Sequence, residues 1–212
     1  MTSEPTRRDL VLAVSPFGRP NARLVAAARR AGALGILDLG PDRGRARAEL
    51  ASVAGAGTGS VGVRVPAGCP LVPEDLPDHV DVVVLAHNAP WRPDEPGPGR
   101  RVLVEVTSAD EARAAVASGA AGVIARGAET GGRCAELTTF VLLQRLLADV
   151  HVSVPVWAAG GIGEHTAAAA VAGGAAGVVL DAQLALVDEC ALPTEIAAAV
   201  RAMDGSETVV VA

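Results

Sequence analysis

Apolar runs of strand length alternate with helix-like segments along the whole 212-residue chain. Each run is nearly continuous in Val, Leu, Ile and Ala, which is typical of strands buried on both faces of a parallel sheet. The eight runs begin near Leu10, Gly35, Ser60, Val80, Arg101, Ala121, Val154 and Ala176. This alternation predicts a compact (β/α)8 TIM barrel formed by a single domain over residues 1–212.

Three junctions between a helix and the next strand repeat one phrase: AGALGILDLG, SGAAGVIARG and GGAAGVVLDA. Each reads as a helix end, a glycine, a small pair, a second glycine and a buried strand. The glycines permit a sharp turn and close packing of helix on strand. Repeated units of this kind favour a closed barrel. The alternative is an open doubly wound sheet, but AVSPFGRP after the first strand matches the expected GxGxxG turn poorly.

The regular pattern fails in the middle of the chain. The proline-rich segment Asn88–Gly99 predicts that the fourth helix is missing or vestigial. A short helix is predicted at Glu74–His79, and the last helix at 192–205 with Thr194 as its N-cap. The chain stops within the apolar run SETVVVA, from which we expect a domain excised from a longer multidomain chain.

Composition excludes several classes of function. The chain carries 18 basic and 24 acidic residues and has no basic tract, which argues against nucleic-acid binding. No apolar run reaches the roughly 20 residues that span a bilayer, and no signal peptide is visible, so we expect a cytoplasmic protein without membrane contact. Three cysteines without CxxC spacing fit a reduced compartment. All basic residues are Arg, which excludes Schiff-base chemistry on lysine.

Two glycine-rich loops after strands are candidates for ligand binding, because the function of a barrel lies in the loops that follow its strands. Gly160, Gly161 and Ile162 offer backbone N–H groups to a phosphate at a helix N-terminus, or else form a tight turn without a ligand. Gly131 and Gly132 lie between Glu129 and Arg133 and suit a flat ligand that lies against the backbone. The alternative is a surface loop with a solvated ion pair.

Histidine is the obvious acid–base residue, and His87 is the candidate because it ends the fourth strand on the loop face. His79 and His151 fall on the opposite face, and His165 lies just inside a helix. No pair of histidines has the spacing of metal ligands, so no metal site is predicted.

Two long segments carry a family resemblance. GVIARGAETGGRCAELTTFVLLQRLL, followed by VPVWAAGGIGEHTAAAAVAGGAAGVVLDAQLAL, resembles the nitronate monooxygenase (2-nitropropane dioxygenase-like) family. The chain is particularly similar to that family's FMN-dependent enoyl-acyl-carrier-protein reductase branch. The resemblance implies an FMN-binding (β/α)8 barrel that acts as an enoyl reductase or a nitronate monooxygenase.

The resemblance also assigns roles to residues. Phe17 and Gly18 would pass by the flavin ring, and Gly131 and Gly132 would line it. The FMN phosphate would accept hydrogen bonds from the 160–162 loop and from the residues after the eighth strand, Asp181 and Ala182.

Two positions depart from the family pattern. Arg133 stands where the family has its catalytic His, and Arg stays protonated at any working pH, so it cannot shuttle a proton. Asp181 and Ala182 stand where the family has a Gly-Thr pair. A carboxylate at contact distance from a phosphate repels it by roughly 1–4 kcal/mol at a partly exposed site.

The chain also looks like the N-terminal barrel of large type I polyketide synthase-like proteins. The partners that this resemblance implies are an acyl-carrier-protein-bound or small-molecule substrate and other synthase domains. The sequence leaves two alternatives to a flavin oxidoreductase. One is an inactive barrel that serves as a scaffold or docking domain in a synthase. The other is a barrel that binds a phosphorylated metabolite without flavin.

Overall fold

Eight parallel strands form the wall of the molecule. The computed structural model describes residues 7–55, 59–190 and 192–203. Neighbouring strands pair in chain order, and the first also pairs with the last, so the sheet closes on itself. The strands are β1 (Val11–Val14), β2 (Leu34–Asp38), β3 (Val61–Val65), β4 (Val80–Leu85), β5 (Arg101–Val106), β6 (Gly122–Arg126), β7 (Val156–Ala159) and β8 (Gly177–Leu180). The predicted (β/α)8 TIM barrel is confirmed.

Helices cover the outside of this wall. In the described part of the chain they are α1 (Ala22–Arg30), α2 (Arg43–Gly55), α3 (Ala109–Ala117), α4 (Thr139–Ala148), α5 (Glu164–Ala172) and α6 (Thr194–Ala202). Pro193, not Thr194, occupies the cap position of α6, so the predicted cap is wrong by one residue. The chain end at 204–212, with the SETVVVA run, lies outside the described residues.

Two crossovers, from β3 to β4 and from β4 to β5, contain no α-helix. The predicted absence of the fourth helix is therefore confirmed. The short helix predicted at Glu74–His79 is wrong, because the structure has only a 3-10 turn at Pro73–Asp75. Pro77 lacks the N–H that a helix needs, and it holds Leu76 in an extended conformation with ψ of 128°.

Where the fourth helix is missing, the loop after β4 packs against the barrel wall through the side chain of Trp91. Trp91 is 6% exposed, and its Nε1–H donates to the carbonyl oxygen of Leu71 at 3.0 Å. Burying the ring while its polar edge is hydrogen-bonded anchors the proline-rich loop against the wall. This leaves the outer face of β5 covered on one side by α3 and on the other by the Trp91 loop.

The repeated glycine phrase has the geometry that the sequence predicts. Its first glycine has a positive φ in all three copies: Gly32 (+87°), Gly119 (+92°) and Gly174 (+104°). Its second glycine touches neighbouring atoms so closely that a Cβ would clash. At Gly122, for example, a Cβ would lie 2.6 Å from the Trp157 ring. In all three repeats, the chain thus leaves a helix at the first glycine and enters the next strand at the second.

An apolar core fills the inside of the barrel, and the 3-10 turn Arg7–Leu10 lies at the end where the strands begin. Inward-facing side chains of the strands, such as Leu12, Ile36 and Trp157, form one buried cluster. The Nε1–H of Trp157 donates to the backbone carbonyl of Asp9 at 2.7 Å, and Asp9 also pairs with Arg101 at 2.7 Å. These contacts hold the segment before β1 against the end of the barrel where the strands begin.

Candidate functional site

A cleft of about 660 Å³ opens where the strands end. We call it the mouth cleft. Eight of the eleven residues singled out in the sequence line it: Phe17, Gly18, His87, Gly131, Gly132, Arg133, Asp181 and Ala182. They come from the loops after β1, β4, β6 and β8, so the closure of the barrel brings together residues that are far apart in the chain. A cleft of this volume suits a small ligand or cofactor.

Four charged side chains form the floor of the mouth cleft. Asp38 and Glu105 flank Arg64, and Glu105 also pairs with Arg126. The Arg64 guanidinium donates to both carboxylate oxygens of Glu105 at 2.7 and 2.9 Å, and to Asp38 at 2.7 Å. Asp38, Glu105 and Arg126 are each less than a tenth exposed. We call these residues the floor quartet.

The charges of the floor quartet balance each other. Burial disfavours the charged form of Glu105, but hydrogen bonds and charge from Arg64 and Arg126 outweigh it, so its pKa is lowered. Burial dominates at Asp38 and raises its pKa despite the contact with Arg64. The pKa of Arg64 is raised, because its two carboxylate partners outweigh the cost of burial. The floor is thus a polar surface without net charge beneath any bound ligand.

Arg126 connects the floor to the double-glycine loop. Its Nε donates to the carbonyl of Arg133 at 3.1 Å, and its Nη2 donates to the carbonyl of Gly131 at 2.5 Å. A Cβ placed on Gly131 or Gly132 would meet no atom within 4 Å, so the space in front of this backbone is open. Arg126 therefore fixes the loop, and the loop presents bare backbone to the mouth cleft.

Arg133 is held by Glu111 at the N-terminus of α3. The two side chains form two hydrogen bonds, one of them from Nη1 to Oε2 at 3.1 Å. Ser108 caps this helix through the N–H of Glu111, and Glu111 reaches back to the N–H of Thr107 at 2.8 Å. The hydrogen bond with Arg133 lowers the pKa of Glu111 to about 2 and raises that of Arg133. Arg133 is therefore a cation held in place by Glu111.

Backbone strain occurs on two sides of the mouth cleft. Among the described residues, Phe17 and Asn88 are the two non-glycine residues with positive φ, at 58° and 56°. Both line the cleft, and Phe17 is 53% exposed. His87 is also exposed, directly before Asn88. Residues held in the left-handed region cost free energy and cluster at ligand-binding positions, and a half-exposed Phe is unusual there.

The predicted phosphate loop after β7 lies outside the lining of the mouth cleft. Ile162 is buried, and Gly160 packs so closely on Thr130 that a Cβ would lie 2.5 Å from Thr130 Oγ1. Within the described ranges, no acceptor takes the backbone N–H of Gly161 or Ile162. The loop leads into α5, so these N–H groups lie beside a helix N-terminus.

The turn after β8 uses its own side chains as hydrogen-bond partners. The carboxylate of Asp181 accepts from the N–H of Ala182 at 2.6 Å, and the Gln183 side chain accepts from the N–H of Asp181 at 3.1 Å. Gln183 also donates to the carbonyl of Ile162 at 3.1 Å, which ties the β7 and β8 loops together. The donors that a phosphate would use on this side are already satisfied.

Sequence reasoning missed the floor quartet. Each of its members is a single charged residue near the end of an otherwise apolar strand, as in GILDLG, VGVRVP, VLVEVT and GVIARG. Side chains two positions apart point to the same side of a strand. The sequence signal for the floor quartet was therefore one charged residue, in phase with the inward-facing apolar residues, near the carboxyl end of each of four strands. In the described ranges, no group of His, Cys, Asp or Glu is arranged to hold a metal ion. No helix there is long and apolar enough to cross a membrane.

The family model described as nitronate monooxygenase matches residues 98–211, which is more than half of the chain. No curated protein sequence matches.

The chain is also similar in structure to several solved proteins. A FabK from Thermotoga maritima is 29% identical, with a TM-score of 0.73 over 86% of this chain and 60% of that chain. A mutant of that FabK is 28% identical, with a TM-score of 0.77 over 91% and 68%. A nitroalkane oxidase from Streptomyces ansochromogenes is 25% identical, with a TM-score of 0.71 over 89% and 70%. The chain thus spans only three-fifths of the first FabK.

Proposed function

Because the chain belongs to the nitronate monooxygenase family, we propose that it is an FMN-type oxidoreductase barrel whose mouth cleft holds the flavin ring. One observation carries the proposal. Phe17, Gly18, Gly131 and Gly132, which the family resemblance assigns to the ring, line one cleft although they come from opposite parts of the chain. The similarity to FabK and to a nitroalkane oxidase supports the same chemistry.

The ring end of the site fits a flavin. The mouth cleft has the volume of a cofactor pocket. Gly131 and Gly132 leave open space in front of the backbone, so a planar ring can approach their amides closely. Arg126 fixes this loop by hydrogen bonds to Gly131 and Arg133, so little conformational freedom is lost when a ring binds.

Of the two loops expected to bind the FMN phosphate, the loop after β7 suits a phosphate and the turn after β8 does not. The N–H groups of Gly161 and Ile162 have no acceptor among the described residues and lie next to the N-terminus of α5. They suit a phosphate. On the β8 side, Asp181 occupies the N–H of Ala182 and adds a negative charge. The β7 loop would therefore hold the phosphate alone, and we expect weaker binding than two loops would give.

When bound, FMN supplies hydride or electron transfer, while the protein supplies placement and electrostatics. Arg133 cannot move a proton, since it stays charged and paired with Glu111. His87 is the imidazole among the described residues that line the mouth cleft, and a proton supplied by the protein would come from it. The substrate is an enoyl group or a nitronate, carried by an acyl-carrier protein or as a small molecule.

A second function is favoured by the turn after β8. Asp181 and Gln183 satisfy the donors that a phosphate would need, and the catalytic His is replaced by a cation. Both features suit a barrel that keeps the fold as a scaffold or docking domain and binds no flavin. Association with a polyketide or fatty-acid synthase stays a prediction under either function.

A titration with FMN separates the two functions. The purified protein is mixed with increasing FMN, and the quenching of flavin fluorescence is recorded together with the visible spectrum. Saturable quenching supports the oxidoreductase, and a colourless protein that leaves flavin fluorescence unchanged supports the scaffold.

A further inference from the structure

The floor quartet places a hydrogen-bond acceptor between two groups of donors. The carboxylate of Glu105 accepts from Arg64 at 2.7 and 2.9 Å and from Arg126 at 3.2 Å, and both arginines share its Oε1 atom. Strand β5, which carries Glu105, lies between β3 and β6 in the closed sheet. All three side chains line the mouth cleft, so they form a continuous row in the order donor, acceptor, donor.

This row keeps unused hydrogen-bonding capacity. A guanidinium has five N–H groups, and Arg64 uses three of them on Glu105 and Asp38. Arg126 also uses three, on Glu105 and on two backbone carbonyls of the double-glycine loop. An ionised carboxylate has about four lone-pair sites, and three hydrogen bonds reach Glu105. Across the residues that the structure describes, each arginine thus has two N–H groups, and Glu105 one lone pair, without a partner.

The floor favours a neutral ligand over a free anion. Its two arginines and two carboxylates balance, and the lowered pKa of Glu105 keeps this carboxyl group an acceptor. The Arg64 side chain is the most accessible of the row, at 19% exposed against 7% for Glu105 and 8% for Arg126. A ligand that reaches the floor therefore meets uncommitted donors and an acceptor without meeting a net charge.

A cyclic imide has the complementary order of groups along one edge. Its two carbonyl oxygens accept hydrogen bonds, and the N–H between them donates one. This edge occurs in pyrimidine-2,4-diones, which include the uracil ring and the polar end of the flavin ring. Both rings are planar, and the open space in front of Gly131 and Gly132 admits a planar ring beside the floor.

We propose that Arg64, Glu105 and Arg126 form a binding site for the imide edge of a planar heterocycle. Glu105 accepts from the ring N–H, and the two arginines donate to the carbonyl oxygens on either side of it. A flavin as the source of this edge rests on the proposed function, whereas the imide site rests on the floor quartet itself. For a flavin, the site fixes the orientation of the ring, with its dimethylbenzene end towards the opening of the cleft.

The test compares ligands that differ at the imide nitrogen, with the wild-type protein. Lumiflavin, which has the flavin ring without the phosphate chain, is compared with 3-methyllumiflavin and with an analogue that carries an ethyl group in place of the 8-methyl group. Each analogue adds one carbon, at opposite ends of the ring. Flavin fluorescence quenching should show at least about tenfold weaker binding of 3-methyllumiflavin, because Glu105 loses its donor. The 8-ethyl analogue should bind within about twofold of lumiflavin.

Uridine monophosphate and its N3-methyl derivative form a second pair, whose binding is measured by calorimetry. They present the same imide edge without a flavin, so they separate the imide site from flavin chemistry. Here too the methylated compound should bind at least about tenfold more weakly.

A matched pair of variants tests the part of Arg64. Arg64→Lys keeps the charge but loses the planar fork of donors, and Arg92→Lys makes the same change at an exposed position outside the mouth cleft. Arg64→Lys should reduce the ratio of lumiflavin to 3-methyllumiflavin affinity at least about threefold, and Arg92→Lys should leave it as in the wild type. The wild-type ligand series decides the proposal even if Arg64→Lys does not fold.

The outcomes separate the imide site from the proposed function. Equal affinity for the parent and the methylated compound in both pairs, or no binding of either parent, would overturn the imide site. If no flavin binds but methylation weakens the binding of uridine monophosphate, the imide site stands and the oxidoreductase assignment fails. If FMN and lumiflavin bind and methylation at N3 has no effect, the oxidoreductase stands and the imide site fails.

Discussion

Arg133 and Glu111 form an ion pair with two hydrogen bonds at the edge of the mouth cleft. The resemblance places Arg133 at the position of the family's catalytic His, and the pair with Glu111 keeps Arg133 charged. The same carboxylate also accepts from Thr107 at the start of α3. The ion pair thus connects the site to the stability of a helix.

This ion pair predicts a pH dependence of stability. The pKa of Glu111 is lowered from 4.5 to about 2 in the folded protein, mainly by its hydrogen bond with Arg133. A lowered folded-state pKa contributes stability above the unfolded value, and this contribution is lost as the pH falls from 4.5 towards 2. Wild type should exceed Glu111→Gln in free energy of unfolding by up to about 1 kcal/mol at neutral pH, since the pair is partly exposed to solvent.

Urea denaturation of both proteins at several pH values measures this difference. It should shrink as the solution is acidified through that window. A difference that stays constant from neutral pH down to the acid limit would show that the ion pair is not linked to folding.

The floor quartet predicts a large cost for removing its shared carboxylate. Glu105→Gln leaves Arg64 and Arg126 without their main partner in a buried site, which typically costs about 3–5 kcal/mol. Chemical denaturation measures the free energy of unfolding. Asp94→Asn is the control, because its ion pair with Arg92 is exposed, and it should change stability by less than about 0.5 kcal/mol. Equal effects of the two changes would mean that the floor quartet contributes nothing to stability.

The turn after β7 predicts a stability difference between two glycine substitutions. Gly160→Ala requires a side chain at a φ of +104° and places its Cβ 2.5 Å from Thr130 Oγ1, so it should cost about 1–3 kcal/mol. Gly131→Ala adds a Cβ to open space at an ordinary φ and should leave thermal unfolding almost unchanged. Thermal unfolding that is equally affected in both variants would contradict the close packing of the β6 and β7 loops.

The turn after β8 predicts that flavin affinity is limited by charge. Asp181→Asn keeps a side-chain oxygen near the N–H of Ala182 but removes a negative charge that lies beside the expected phosphate. Repulsion of roughly 1–4 kcal/mol at contact would translate into FMN binding at least about fivefold tighter. The measurement is an FMN titration, with the exposed Asp188→Asn as a control of equal charge. If both variants bind FMN alike, Asp181 does not face the phosphate.

The sequence was sufficient to predict the barrel because its strands are buried on both faces and its junctions repeat. The proline-rich Asn88–Gly99 segment correctly predicted a crossover without a helix. The helix predicted at Glu74–His79 failed because Pro77 acts on the residue before it as well as on its own N–H. The local sequence pattern thus predicts the strands and the long helices, and it fails for a short segment whose conformation is set by a proline.

The residues named from the sequence include many that line the mouth cleft but none of those that form its floor. The resemblance pointed to the loops that meet at the mouth cleft, and most of the residues it named line that cleft. The pairing of Arg64 with both Asp38 and Glu105 depends on the register between strands, which a sequence pattern does not supply. The bond from Asp181 to its neighbour's N–H likewise depends on the conformation of the turn.

The most direct test of the proposed function is FMN binding to wild type and to a variant with a filled mouth cleft. Gly131→Leu projects a side chain into the open space where the ring would lie, and Gly55→Leu adds the same side chain at an exposed helix end with equally open surroundings. We predict saturable quenching of flavin fluorescence by wild type and by Gly55→Leu, and loss of at least about tenfold in affinity in Gly131→Leu. Absence of quenching by wild type, or equal affinity in all three proteins, would contradict a flavin ring in the mouth cleft.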